Sequence, residues 1–153
     1  MTARNSFTIL LVDADSDDQF FFKEAITHIE CNIQLVTASS PEETLEYLNA
    51  NTPDFIFLDI NMPFIDGKDS LQHIRSSKKF NAVNVIMLTT SSNEKDINDC
   101  FELGANLYVS KPSSQLELTT ILQQIFSLYT ENKFEKLTRE NFVFELKHGL
   151  ENY

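Results

Sequence analysis

Four short apolar runs each deliver a residue able to act on a phosphoryl group. Phe7 to Val12 ends in Asp13, Phe55 to Leu58 in Asp59, Val83 to Leu88 in Thr89, and Leu107 to Val109 leads through Ser110 to Lys111. Two carboxylates, a hydroxyl and an ammonium are the types this chemistry needs. A carboxylate oxygen is a workable nucleophile toward phosphorus only when their charge repulsion is removed, so a divalent cation must neutralise the pocket. An ammonium adds a point charge against phosphoryl oxygens, and a hydroxyl can donate to them.

These residues matter together only if the fold brings them together. Between the runs lie amphipathic stretches: Phe22, Ala25, Ile26 and Ile29 share one helical face, as do Leu118, Ile121, Leu122, Ile125 and Tyr129. Ser40 followed by Pro41-Glu42-Glu43 is a helix start with cap, first-turn proline and first-turn acids. Further helices are expected from Gly67 to Ser76, from Glu94 to Leu103 with a stop at Gly104, and from an N-cap at Ser113. Ile33 to Val36 supplies another strand, giving five strands alternating with five helices. Strands apolar throughout are covered on both faces, so the expected class is α/β, with a doubly wound, five-stranded parallel sheet. Right-handed crossovers put every strand's C-terminal end on one edge, where such sheets bind ligands. Asp13, Asp59, Thr89 and Lys111 should converge there.

The segment Asp59-Ile60-Asn61-Met62-Pro63-Phe64-Ile65-Asp66-Gly67, taken with Asp13, Thr89, Gly104-Ala105 through Tyr108, and Lys111-Pro112, resembles the receiver domain of two-component response regulators. The resemblance runs from about Phe7 to Tyr129. It implies a flavodoxin-like receiver fold over residues 1–130, with 131–153 as an extension and not a separate domain. It implies that Asp59 accepts a phosphoryl group from a sensor histidine kinase or a phosphotransfer protein. Mg²⁺ would be held by Asp13, Asp59 and the backbone carbonyl of Asn61. Lys111 and Thr89 would meet the phosphoryl oxygens, Tyr108 would be the switch aromatic that turns inward, and a cis Lys111–Pro112 bond would aim the lysine. Signalling would then be by protein–protein contact, and the chain would catalyse at most its own phosphorylation and dephosphorylation.

One position departs from the pattern. The family's first strand ends in two adjacent acids, and this chain reads Asp13-Ala14-Asp15. The missing ligand should weaken Mg²⁺ binding. Water could fill its place, Asp15 could swing in, or the domain could be a degraded receiver that binds partners without phosphate. Two other motifs overlap here. An EF-hand loop would put Glu24 at its last position, but Asp18 stands where its glycine belongs, and a strand precedes it. A haloacid-dehalogenase-like phosphatase would use Asp13 as nucleophile and Asp15 as general acid, yet no aspartate follows Asp99 to complete its metal site.

Composition narrows the rest. The 153 residues suit one domain. Against 23 acids stand 12 Lys and Arg, a net charge of −11, which argues against direct nucleic-acid binding. No run is long enough to span a membrane and Met1 to Ser6 is no secretory signal, so the expected location is the cytoplasm. Cys31 and Cys100 have no ligand or redox spacing, and His28, His73 and His148 read as surface residues. Asp54, Asp66 and Asp69 read as turn and cap residues, and one of Phe20, Phe21 and Phe22 must face out. In the tail, Phe142, Phe144 and Leu146 alternate like a strand, while Phe142, Leu146 and Leu150 suit a helix. Packing on the last helix is the plain expectation for it, and a docking or homodimer-forming segment the sharper one.

Overall fold

Alternate residues of a strand point to opposite faces, so an unbroken apolar run needs cover on both. In the computed structural model, which describes residues 6–63, 66–131 and 137–146, that cover is complete over Phe55–Leu58 and Asn84–Thr89 and only partial over Asn32–Ala38 at the sheet edge. The elements run β1 (Ser6–Val12), α1 (Ser16–Ile26), β2 (Asn32–Ala38), α2 (Pro41–Ala50), β3 (Phe55–Leu58), α3 (Gly67–Arg75), β4 (Asn84–Thr89), α4 (Glu94–Glu102), β5 (Leu107–Ser110) and α5 (Gln115–Thr130). The five strands form one parallel sheet in the order β2-β1-β3-β4-β5, the doubly wound flavodoxin-like arrangement expected.

Neighbouring residues of one strand feed two separate cores. Leu10, Val12, Ile56 and Leu58 join Leu48, Leu71, Ile74 and Ile97 beneath α2, α3 and α4. Ile9, Leu11, Phe55 and Phe57 join Phe22, Ala25, Leu118 and Leu122 beneath α1 and α5. The phenylalanine run resolves as geometry requires: Phe22 is buried, Phe21 half-buried, and Phe20 is 62% exposed.

Helix ends follow local chemistry. Ser40 Oγ accepts from the Glu43 amide at 3.1 Å, with Pro41 in the first turn. Asp66 caps α3 and Asn93 caps α4. Ser114, one residue later than expected, caps α5. Gly104 follows α4 with φ 100°, a conformation that suits glycine.

Residues 137–146 pack more widely than on the last helix. Their backbone pairs with the outer edge of β5: the Tyr108 amide donates to Phe142 O at 3.0 Å, and the Phe144 amide to Tyr108 O at 2.8 Å. Phe142 is 1% exposed, within the α2–α4 core, whereas Phe144 and Leu146 pack on the α1–α5 side. Val143 thus bridges to β5 as a strand residue would, but Phe142 and Phe144 enter opposite cores, so the strand alternation expected of Phe142, Phe144 and Leu146 is not met, and residues 142–146 form no helix either. Leu150 and His148 lie outside the described residues, as do Phe64 and Ile65. Among the described residues no helix is long and apolar enough to cross a membrane.

Candidate functional site

Parallel pairing carries past the strand ends and fixes where the site residues leave the sheet. The Asp13 amide donates to Ala38 O at 3.0 Å, the Asp59 amide to Val12 O at 3.1 Å, and the Lys111 amide to Thr89 O at 2.8 Å. Each functional side chain therefore starts from a backbone held by its neighbouring strand. The four expected residues do converge on one edge. Asp13, Asp59 and Thr89 are all buried, at 3%, 6% and 0% exposure.

Lys111 is the centre of the cluster. Its Nζ lies 2.9 Å from Asp13 Oδ2, 2.9 Å from Asp59 Oδ2 and 2.7 Å from Asp18 Oδ2. Burial alone would push the Lys111 pKa down, but hydrogen bonds to Asp18, Asp13 and Asp59 outweigh it and hold the ammonium above its ordinary range. Phe21, Phe22, Leu88, Pro112 and Leu118 line the hollow beside these charges and keep its wall apolar. The Lys111–Pro112 bond is trans, contrary to the cis bond expected, and the lysine reaches the carboxylates all the same.

Asp13 shows the opposite balance. Burial raises its pKa, and the Asp15 amide (2.9 Å to Oδ1) and Lys111 offset this only in part. A carboxyl whose folded pKa is raised adds stability below its unfolded pKa and loses it as pH rises through the folded one. At neutral pH the charged Asp13 thus opposes folding. Asp13→Asn is expected to raise the thermal midpoint at pH 7 and to lose that advantage in acid; an unchanged or lower midpoint at pH 7 would contradict this electrostatic account.

Asp59 sits in a short turn made for it. Its Oδ1 accepts from the Asn61 amide at 3.1 Å, and the Met62 and Gly67 amides both donate to Ile60 O. A Cβ on Gly67 would lie 2.1 Å from Asp59 O, so this close return of the chain admits only glycine. Thr89 Oγ1 stands 3.5 Å from Asn61 Nδ2 and 3.4 Å from the Ser91 amide. Tyr108 is fully buried, and its hydroxyl donates to Ser91 O at 2.8 Å. The ring is therefore already inward in this structure.

Two placements differ from the sequence reading. The Asp15 carboxylate does not swing in; it caps α1, accepting from the Asp17 and Asp18 amides at 2.8 and 3.1 Å. Ala14 is half-buried against the α2–α4 core. The third carboxylate instead comes from Asp18, a residue no motif singled out. Its signal was the buried face of α1: one turn before Phe22 on that face stands Asp18.

The remaining titratable groups have ordinary roles. Asp54 accepts from the Thr8 amide at 2.8 Å and Asp66 from the Lys68 amide at 2.9 Å. His28 and His73 are exposed. Burial pushes the Cys100 thiol up to about 12, which leaves it unreactive at neutral pH.

The oxygen donors suit a small hard cation. Asp13 and Asp59 already share one cation, the Lys111 ammonium, and Mg²⁺ takes one or two carboxylates with waters completing its shell. Among the described residues no group of three or more His, Cys, Asp or Glu side chains is placed to hold a metal.

Comparison with known proteins bears on the family and the fold. The family model for the response regulator receiver domain matches residues 9–123. Response regulator Rcp1 of Synechocystis sp. is 36% identical over 86 residues, covering 56% of this chain and 58% of that protein, less than two thirds of its length. The probable methanogenesis regulatory protein FilR2 of Methanothrix harundinacea is 25% identical over 131 residues, 82% of this chain and 84% of its own. Among solved structures, the Mn²⁺-bound form of Rcp1 superposes with a TM-score of 0.72 at 28% identity, over 82% of this chain and 95% of its own. The phosphorylated cyanobacterial phytochrome response regulator RcpA gives 0.74 at 29%, over 83% and 96%.

Proposed function

The chain belongs to the response regulator receiver family of two-component signalling, and on that premise we propose that Asp59 accepts a phosphoryl group from a histidine kinase or phosphotransfer protein. The observation that carries the reading is the Lys111 ammonium, held 2.9 Å from both Asp59 and Asp13 in a buried pocket at the sheet edge. A buried ammonium among carboxylates is positioned to move onto developing phosphoryl charge without reorganising solvent.

In the proposed reaction an Asp59 carboxylate oxygen attacks phosphorus as the P–N bond to the donor imidazole breaks, and the imidazole leaves neutral, keeping the proton already on its other ring nitrogen. Lys111 exchanges carboxylate contacts for phosphoryl oxygens. Thr89 gives up its weak contacts with Asn61 and Ser91 and donates its hydroxyl to the same oxygens. Asp13, Asp59 and the Asn61 carbonyl would hold Mg²⁺, which supplies charge neutralisation. With Ala14 turned to the core, its affinity should be below that of a site with three acids. The Mn²⁺-bound and phosphorylated forms of the two structural relatives support this assignment by analogy.

The test is incubation with a small phosphodonor and Mg²⁺, read by intact mass. Wild type should gain one phosphoryl group and Asp59→Asn none. An unmodified wild type would favour the degraded-receiver reading, for which Ala14 is the one supporting feature. Undiminished modification of Asp59→Asn would place the acceptor elsewhere. We further propose that the protein works in the cytoplasm and signals through protein contacts, not as an enzyme.

A further inference from the structure

The outer edge of β5 would present unpaired backbone groups in an open sheet, a surface to which any extended segment can add. In this chain it is filled. Residues 142–144 pair with both polar groups of Tyr108, at 3.0 and 2.8 Å. Phe142 is 1% exposed, its ring edge-on to Phe101 with centroids 5.2 Å apart and 6.0 Å from the ring of Tyr108. Arg139 reaches across to α4, meeting Glu94 Oε1 at 2.7 Å and Asn98 Oδ1 at 2.7 and 2.9 Å. Glu94 is 74% exposed at its side chain, so the ion pair adds little energy, and the buried aromatic is the anchor.

We propose that residues 137–146 are an intrachain ligand that gates the surface formed by α4 and the β5 edge. That surface is a strand-addition site, and any partner using it must supply an extended segment with an aromatic in the Phe142 slot. The gate also sits on the relay from the acidic pocket. Thr89 contacts the Ser91 amide, Ser91 O receives the Tyr108 hydroxyl, and the backbone of Tyr108 carries the segment. The proposal does not depend on phosphorylation of Asp59.

Two measurements on full-length chains decide it. In Phe142→Asp, amide exchange at Tyr108 should quicken while Phe57 and Ile86 in the sheet centre stay protected. A fluorescent peptide of sequence 137–146 should then bind this variant at least about tenfold more tightly than wild type, since an internal occupant lowers apparent affinity by the fraction of sites it fills. The same peptide carrying Phe142→Asp should bind neither chain. Equal binding to both chains, no binding to the variant, or Tyr108 exchange unchanged in the variant would each overturn the gate. If the sheet-centre amides lose protection too, Phe142→Ala, which removes the anchoring ring without burying a charge, replaces the variant under the same criteria.

Discussion

Lys111→Met is expected to cost the fold about 3–5 kcal/mol at neutral pH, the usual penalty for removing one partner of a buried ion pair. The methionine fills similar volume, so the loss is electrostatic and not a cavity. Asp13 and Asp59, 3% and 6% exposed, would keep their charges with no cation near. Asp18, with its side chain 43% exposed, can turn to solvent and contributes little to the penalty. The pH dependence has a fixed sign. Asp13 is already raised by burial, with Lys111 among the influences that lower it, so without the ammonium it rises further. Stability linked to a raised carboxyl is present at low pH and is lost as pH climbs through the folded pKa. The deficit of the variant should therefore shrink on acidification. Millimolar Mg²⁺ should also restore part of it, because a cation bound only by the folded state stabilises that state. Urea unfolding at neutral and acidic pH, with and without Mg²⁺, measures both effects. A penalty independent of pH and of Mg²⁺ would mean that the lysine acts by packing alone.

The site was legible where function and strand order coincide. Asp13, Asp59, Thr89 and Lys111 each follow an apolar run, and parallel topology sends all such ends to one edge, so four residues distant in sequence could be placed together without coordinates. Ser40-Pro41 was equally plain, because capping is local chemistry. Asp18 was legible only by way of Phe22, since on its own it is one more acid in a helix's first turn. Its role depends on which way α1 rolls over the sheet, and Phe22 decides that. Asp15 looked more available for the pocket than Asp18, yet a helix N-terminus claims the nearest carboxylate for its own unpaired amides. The β5 edge was hidden for a different reason. Phe142, Phe144 and Leu146 suit a strand and Phe142, Leu146 and Leu150 a helix, and neither pattern reveals that residues 142–144 meet the backbone of Tyr108. Sequence shows which faces are apolar, but a nonlocal partner determines what each face meets.

Gly67→Ala is expected to destabilise the protein by about 3 kcal/mol or more and to abolish phosphodonor labelling of Asp59 in whatever fraction remains folded. The glycine has no unusual φ, so backbone freedom is not the reason. The reason is space. An added Cβ would meet Asp59 O at 2.1 Å, Ile60 Cα at 2.7 Å and the Asp59 carbonyl carbon at 2.9 Å, all of them backbone atoms. At Gly104, by contrast, the nearest atom is the Arg75 Cγ at 3.1 Å, and what a Cβ would strain is the backbone, at φ 100°. At Gly67 the segment that must move is the one that aims Asp59 at Lys111. It is anchored by the bonds from Met62 and Gly67 to Ile60 O and from the Asp59 amide to Val12 O. Relief of the clash therefore either breaks the last pairing of β3 with β1 or strips α3 from the loop. In both cases the 2.9 Å contact between Asp59 and Lys111 is lost. Far-UV circular dichroism with thermal unfolding reports the fold, and intact mass after phosphodonor treatment reports the site. A variant that unfolds like wild type and labels at the wild-type rate would show that the Asp59 turn tolerates a shift the packing says it cannot absorb.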